Sequence, residues 1–187
     1  ILHKFSLKDK RILVTGSSGL LGIEHSKAIA SAGGTPIMID IDKENSITLK
    51  EELQQKNKVC SEFYEIDITS ESSVKDLKEK LSAKYLDGII NNACLNPSTS
   101  SLDELKNKTR LEEFNLNQWN LELEVGLTGS FLITKHMGDL LCSNPKGGSI
   151  INISSDLGLI SPDQRLYSDF KPSDPRATVK PITYSVI

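Results

Sequence analysis

The chain has 187 residues, enough to bury one sizeable core. Its 22 Lys and Arg against 25 Asp and Glu leave a formal charge of −3, so no basic excess exists to neutralise the phosphates of a nucleic acid. Hydrophobic residues make up 37%, in runs of only a few residues, which excludes a helix that spans a bilayer. Ile1-Leu2-His3-Lys4 lacks the basic-then-apolar design of a secretory leader. The first residue is not Met, so translation is expected to begin upstream. Cys60, Cys94 and Cys142 match neither a disulfide framework nor a zinc site, and His3, His25 and His136 show no metal spacing. A soluble protein of the reducing cytoplasm, without a metal, is expected.

In chain order, Ile12-Leu13-Val14-Thr15 is an almost unbroken apolar run, as in a strand covered on both faces. A helix should follow, with Leu21, Ala28 and Ala32 as its stripe and Gly33-Gly34 as its stop. Pro36 to Asp40 reads as a second strand and Lys43 to Gln55 as a polar, solvated helix. Phe63 to Ile66 is a third strand. Ser70 can cap the next helix, with Val74, Leu77 and Leu81 buried at i, i+3, i+7. Leu86 to Ile90 is the fourth strand. Leu95 to Leu111 is polar and turn-rich and reads mainly as loop. Leu116 to Cys142 is densely apolar and predicts one long buried helix, which Gly126 and Gly129 need not break. Trp119 and Phe131 within it read as core or subunit contact. Gly148 to Ile153 is the fifth strand. This alternation predicts a parallel sheet with right-handed crossovers, in a single domain spanning 1–187.

The chemistry begins between the first strand and the first helix, at Thr15-Gly16-Ser17-Ser18-Gly19-Leu20-Leu21-Gly22. Gly16 permits a tight turn, Gly19 lets backbone approach a pyrophosphate, and Gly22 allows close helix–strand packing. The N–H groups at the helix start, around Ser18, Leu20 and Leu21, then face the anion. Asp40 ends the second strand 18 residues beyond Gly22, where a carboxylate can bind both ribose hydroxyls and repel a 2′-phosphate. No Arg lies between Gly16 and Asp42 to receive that phosphate, so NAD is favoured over NADP.

With these residues in place, the chain resembles the short-chain dehydrogenase/reductase family. The resemblance rests on Thr15-Gly16-x-x-Gly19-x-x-Gly22, Asp67-Ile68-Thr69, Asn91-Asn92-Ala93-Cys94 and Asn152-Ile153-Ser154-Ser155, in that order. It implies a Rossmann-type doubly wound α/β fold in three layers, α/β/α. It also implies that Asp67, Ile68, Asn92, Ala93 and Cys94 frame the cofactor. The glycine spacing follows the family's extended branch. Cys94 stands where the family has Gly, and Gly126 where it usually has the Asn of the proton relay.

The family's chemistry requires a Ser and a Tyr at the substrate oxygen and a Lys one helical turn beyond the Tyr. Ser155 is the better serine by alignment, with Ser154 its neighbour. Two tyrosines compete. Tyr167-Ser168-Asp169-Phe170-Lys171 is a complete Tyr-x-x-x-Lys, twelve residues after Ser155. But Pro172 follows Lys171, Pro175 comes soon after, and a residue before proline is pushed out of helical angles. Tyr184 follows Pro181, which is compatible with helix initiation. Tyr184 is therefore preferred, and residues 157–180 become an insert near the substrate pocket. A similar arrangement occurs among dehydrogenases of surface-glycan or flagellin modification.

The resemblance further implies a homodimer or homotetramer built from helix pairs, and sheet strands beyond the five visible, so the C-terminal part is expected to be missing from the chain. The expected activity is hydride transfer between a nicotinamide cofactor and an alcohol or carbonyl, such as a sugar derivative. The alternatives are a sugar-nucleotide epimerase or dehydratase that retains its NAD, and a non-catalytic nucleotide-binding protein.

Overall fold

The structure is a computed structural model that describes residues 2–95, 109–167, 174 and 178–187. Most of the expected 95–111 loop lies outside the described residues, as do Lys171, Pro172 and Pro175. The chain forms two compact units: Ile1–Ala93 with Thr128–Ile153, and Cys94–Leu127 with Ser154–Ile187.

The first unit is built on five parallel strands, β1 (Arg11–Thr15), β2 (Thr35–Asp40), β3 (Glu62–Glu65), β4 (Gly88–Asn91) and β5 (Ser149–Asn152), in the order β3-β2-β1-β4-β5. The strand order reverses at β1, between β2 and β4, which is the switch point of a sheet of this kind. The helices are α1 (Leu20–Ser31), α2 (Lys43–Asn57), α3 (Glu71–Leu81) and, in the 128–153 part, α5 (Ser130–Cys142). Alternation along β2 divides the core. Met38 packs with Ala30 of α1 and with Leu49 and Leu53 of α2. Ile37 and Ile39 point the other way, into a cluster with Val74 and Leu77 of α3 and Ile133 and Met137 of α5. The result is three layers, α/β/α.

Local chemistry sets the element ends. Asp42 caps α2 by accepting from Asn45 N at 3.0 Å, and Ser70 caps α3 by accepting from Ser73 N at 3.3 Å. The predicted stripe of α3, Val74, Leu77 and Leu81, is buried. At the amino ends of the strands, Asp87 accepts from Lys10 Nζ (2.7 Å), Arg11 N (2.9 Å) and Asn144 Nδ2 (3.0 Å). Burial pushes its carboxyl up, but these hydrogen bonds outweigh that and leave it below the ordinary Asp value.

Two expectations are corrected. The inward face of α1 is Gly22, Ser26, Ile29 and Ala30, not Leu21, Ala28 and Ala32. Gly22 goes inward because the start of α1 lies against the backbone of the preceding turn, where a Cβ would stand 2.0 Å from Gly16 O. The segment from Leu116 to Cys142 is not one buried α-helix. It runs as α4 (Leu116–Leu123), a π-helical stretch Glu124–Gly129, and then α5. Leu116, Leu121, Leu127 and Phe131 are exposed, whereas Glu122 is buried at 1% exposure. Gly126 and Gly129 sit in the π stretch, where residues without a Cβ ease the added bulge.

The two rims of the sheet differ. β3 carries Glu62 and Glu65, which pair with Arg11 (3.1 Å) and Lys43 (3.3 Å). On β5 all four residues are exposed, among them Ile150 at 40% and Ile151 at 50%.

The second unit, as described, contains α4, the first part of the π stretch and short 3-10 turns at Leu111–Glu113, Asp156–Gly158, Gln164–Leu166 and Ile182–Ser185. Glu122 anchors it: Gln118 Nε2 donates to its carboxylate at 2.6 Å, and Thr183 Oγ1 donates to the other oxygen. Among the described residues, no helix is long and apolar enough to cross a membrane.

Candidate functional site

In the first unit the chain leaves β1 and turns sharply into α1. Gly16 has φ +63°, in the left-handed region, and a Cβ there would stand 2.8 Å from Ala93 Cα. A Cβ on Gly22 would stand 2.0 Å from Gly16 O, so α1 can start this close to the turn only without a side chain there. Gly19 precedes α1 and supplies no side-chain cap, so the first-turn N–H groups lack an internal acceptor. Leu20 (88% exposed) and Leu21 flank this opening. Ser18 N donates to Asp40 Oδ2 at 2.9 Å, and Asp42 N donates to Asp40 Oδ1 at 3.0 Å. Asp40 is thus fixed beside the loop by two backbone donors.

These residues fit an anionic dinucleotide. The uncapped helix start suits a pyrophosphate, the missing side chains leave room for it, and the carboxylate of Asp40 suits ribose hydroxyls. Gly16, Ser18, Gly19, Leu20, Leu21, Gly22 and Asp40 therefore lie together, at one end of the sheet.

The other cofactor candidates are placed as follows. Asn92 Nδ2 donates to the carbonyls of Thr15 (2.9 Å) and Gly16 (3.1 Å), so its side chain shapes the turn. Ala93 packs against Gly16, and its N–H reaches Thr15 Oγ1 at 3.1 Å. Asp67 Oδ1 accepts from Thr69 N (2.9 Å) and Oγ1 (2.7 Å) in an exposed turn. The side chain of Ile68 lies in the core, so only its backbone is available to a ligand. Cys94 is exposed and belongs to the second unit.

In that unit, Ser155 precedes the Asp156–Gly158 turn. Its Oγ accepts from Leu157 N at 3.2 Å and donates to Asp156 at 3.1 Å. Strand β5 ends at Asn152, so Ser154 and Ser155 both lie beyond it. Tyr184 sits in the 3-10 turn after Pro181, not yet in an α-helix. The first helix-type bond, Ile187 N to Thr183 O at 3.0 Å, forms just beyond it. Tyr167 closes another 3-10 turn, and Thr178 Oγ1 donates to its carbonyl. The turns that carry Ser155 and Tyr184 meet, with a Cβ on Gly158 falling 3.8 Å from Ser185 O. A cavity of about 600 Å³ opens there, lined by Leu157, Gly158 and Ser185 among others. Lys180 Nζ lies 3.6 Å from the ring centroid of Tyr184.

Sequence reasoning missed four supporting residues. Thr15 and Asn91 stood inside quoted motifs but have structural tasks that no spacing discloses. Asn91 Nδ2 donates to Asn152 Oδ1 at 2.8 Å and Thr134 Oγ1 at 3.2 Å, tying β4, β5 and α5 together. Glu122 was hidden in an apolar stretch. Lys180 carried one signal, its place next to Pro181 and close to Tyr184 in sequence.

Comparison with known proteins gives a consistent result. A family model described as short chain dehydrogenase matches residues 10–168. The 3-oxoacyl-(acyl-carrier-protein) reductase of Aquifex aeolicus is 31% identical over 158 residues, covering 83% of this chain and 59% of that protein. The D-threitol dehydrogenase of Mycolicibacterium smegmatis is 24% identical over 164 residues, covering 87% and 58%. This chain thus spans less than two thirds of these relatives. Among solved structures, NAD+-bound xylitol dehydrogenase superposes with a TM-score of 0.75 at 19% identity, over 96% of this chain and 60% of that one. The NADPH-dependent 3-quinuclidinone reductase of Rhodotorula rubra gives 0.77 at 21% identity, over 99% and 61%.

Proposed function

The chain belongs to the short-chain dehydrogenase family, and we propose that it is an NAD-dependent oxidoreductase, acting on an alcohol or carbonyl such as a sugar derivative. The observation that carries the cofactor preference is Asp40, with its carboxylate held at the loop by Ser18 N and Asp42 N. Ribose hydroxyls can donate to it, and a 2′-phosphate would meet a fixed like charge. The structural neighbours include both an NAD+-bound and an NADPH-dependent enzyme, so the preference is argued from this residue alone.

A bound nicotinamide supplies the hydride acceptor or donor. In this reading Gly16, Ser18, Gly19, Leu20, Leu21 and Gly22 seat the pyrophosphate. The Asp67-Ile68 turn and Asn92-Ala93-Cys94 edge the remainder. Ser155 donates to the substrate oxygen and orients it, and Tyr184 takes the alcohol proton or returns it to a carbonyl. Tyr184 is preferred to Tyr167 because it lies in the turn that meets the Ser155 turn. Gly126 offers no side chain for a proton relay, and a Cβ there would stand 2.9 Å from Ile187 Cβ. Leu157, Gly158, Val179 and Lys180 line the cavity, and in this reading the 157–180 segment is the substrate-side insert. We assign the protein to the cytoplasm, where its three free cysteines suit a reducing setting. As partner we assign a second or further copies of the chain, through the apolar residues exposed on α4 and α5.

The test uses the full-length protein. NADH formation is followed against a panel of alcohols, sugar alcohols and sugar nucleotides, and NADH and NADPH are titrated in parallel. NADH should bind at least about tenfold more tightly, the scale of one charge-assisted hydrogen bond. Tighter NADPH binding refutes the assignment of Asp40, and no turnover of any panel member refutes the oxidoreductase reading.

A further inference from the structure

Tyr184 rides on a turn that is tied down at a buried point. The Ile182–Ser185 3-10 turn is four residues long, and so short a stretch has little rigidity of its own. Of those four residues only Thr183 is buried, at 0% exposure. Its Oγ1 donates to Glu122 Oε2 on α4. Gln118, one turn earlier on the same helix, donates to Glu122 Oε1 at 2.6 Å and so holds the carboxylate from the other side. Both oxygens are thus engaged, in a residue that is 1% exposed. The residue after Thr183 is Tyr184, and the same turn meets the one that Ser155 opens, where a Cβ on Gly158 would fall 3.8 Å from Ser185 O. All of these residues belong to the second unit.

We propose that Glu122 is a positioning residue: through Thr183 it fixes the direction of the turn that presents the Tyr184 hydroxyl to the substrate oxygen. The proposal rests on the oxidoreductase reading of Ser155 and Tyr184 and adds the device that sets their geometry. Burying a carboxylate is costly even when it is hydrogen-bonded, and an apolar side chain of similar volume would join α4 to the turn at less cost. Stability alone therefore does not call for Glu at this position. An apolar contact is non-directional, whereas a hydrogen bond fixes both a distance and an angle. A bond that leaves Thr183 little freedom leaves little to the backbone that carries Tyr184. That matters for the chemistry, because a displacement of ~1 Å at a reacting group can slow a reaction by about 100-fold.

The experiment compares Glu122→Gln, Glu122→Met and the double variant Glu122→Met with Thr183→Val, all in the full-length protein. Gln can accept from Gln118 and donate to Thr183, whose hydroxyl works in either sense, so Glu122→Gln should keep most of kcat. Glu122→Met leaves the Thr183 hydroxyl buried without its acceptor and should lower both Tm and kcat. The double variant replaces both partners by apolar groups. It should regain most of the wild-type Tm yet keep a kcat at least about tenfold low, with NADH affinity unchanged. That split separates positioning from stability. A second readout needs no turnover. With 3-fluorotyrosine incorporated, the fluorine resonance that Tyr184→Phe removes should move in the double variant and stay in place in Glu122→Gln. A double variant with wild-type kcat, or with the Tyr184 resonance unmoved, overturns the proposal. A wild-type protein that turns over no alcohol instead overturns the oxidoreductase reading, and the fluorine signal still decides whether Glu122 positions Tyr184.

Discussion

Two glycine-to-alanine substitutions should have opposite signs, for reasons visible in the first unit. At Gly22 the new methyl group would sit 2.0 Å from Gly16 O, where ordinary contact begins at 3.4 Å, so backbone must open by about 1.4 Å. The carbonyl cannot simply turn away, because it accepts from Gly19 N (3.2 Å) and Asn92 Nδ2 (3.1 Å). Overpacking of a tight site costs ~1–3 kcal/mol, and a backbone clash belongs at the upper end. At ~2–4 °C per kcal/mol for a chain of this size, Gly22→Ala should lower Tm by about 4–10 °C. It should also weaken NADH binding, since the start of α1 moves. At Gly138, inside α5, an added Cβ meets nothing within 4 Å. There the helix propensity of Ala should stabilise by ~0.8–1 kcal/mol and raise Tm by ~2–4 °C, with NADH affinity unchanged. Scanning calorimetry and NADH titration on both variants decide the matter. A Gly22→Ala protein as stable and as tightly binding as wild type would refute the close-packed loop.

Asp87→Asn removes the charge that holds Lys10, Arg11 N and Asn144, and should cost about 2 kcal/mol in urea unfolding at pH 7; an unchanged midpoint would contradict that role. Glu71 is drawn down to about 2 from 4.5 by hydrogen bonds from Lys135 and His136 and by the charges of Lys135 and Lys75. Its contribution is therefore complete above about pH 4.5 and fades as pH falls toward 2, so the gap in urea midpoint between wild type and Glu71→Gln should close over that window. A gap that stays constant from pH 5 to pH 3 would rule this out. On the proposed function, Tyr184→Phe in the full-length protein should abolish nearly all turnover while sparing NADH affinity, and Tyr167→Phe should do little. The reverse pattern would make Tyr167 the acid and base.

The parts of the fold carried by periodicity were legible. Ile12 to Thr15 and Pro36 to Asp40 read as covered strands, and Val74, Leu77 and Leu81 as a helix stripe, because burial there follows hydrophobicity. Legibility failed where packing reversed that rule. On α1 the closest neighbour is backbone, so Gly22 and Ser26 face inward while Leu21 is left outside. On α4 a carboxylate, Glu122, is buried because Gln118 and Thr183 satisfy it, and its leucines are exposed. The π-helical stretch has no periodic signature, since it shifts the register instead of setting one. At the site, Gly16, Gly22 and Asp40 could be read from type and spacing. Asn92 could be named but not its task, because a side chain that holds two carbonyls of a distant turn is a tertiary fact. Lys180 had only its nearness to Pro181 and Tyr184 to mark it in the sequence, and its place over the Tyr184 ring is a tertiary fact.

The unequal rims of the sheet give the chain a direction of growth. On β3, Glu62 and Glu65, with their partners Arg11 and Lys43, place charged side chains where a foreign strand would have to dock, so pairing there is discouraged. β5 offers Ser149-Ile150-Ile151-Asn152, a short run with no charge and no proline, and among the described residues no strand pairs with its outer side. Such a rim is a template: any extended segment in parallel register can add to it, and each addition copies the same unguarded edge outward. Among the described residues, the β3 rim is thus the one guarded by charge, and the β5 rim is the one left without it.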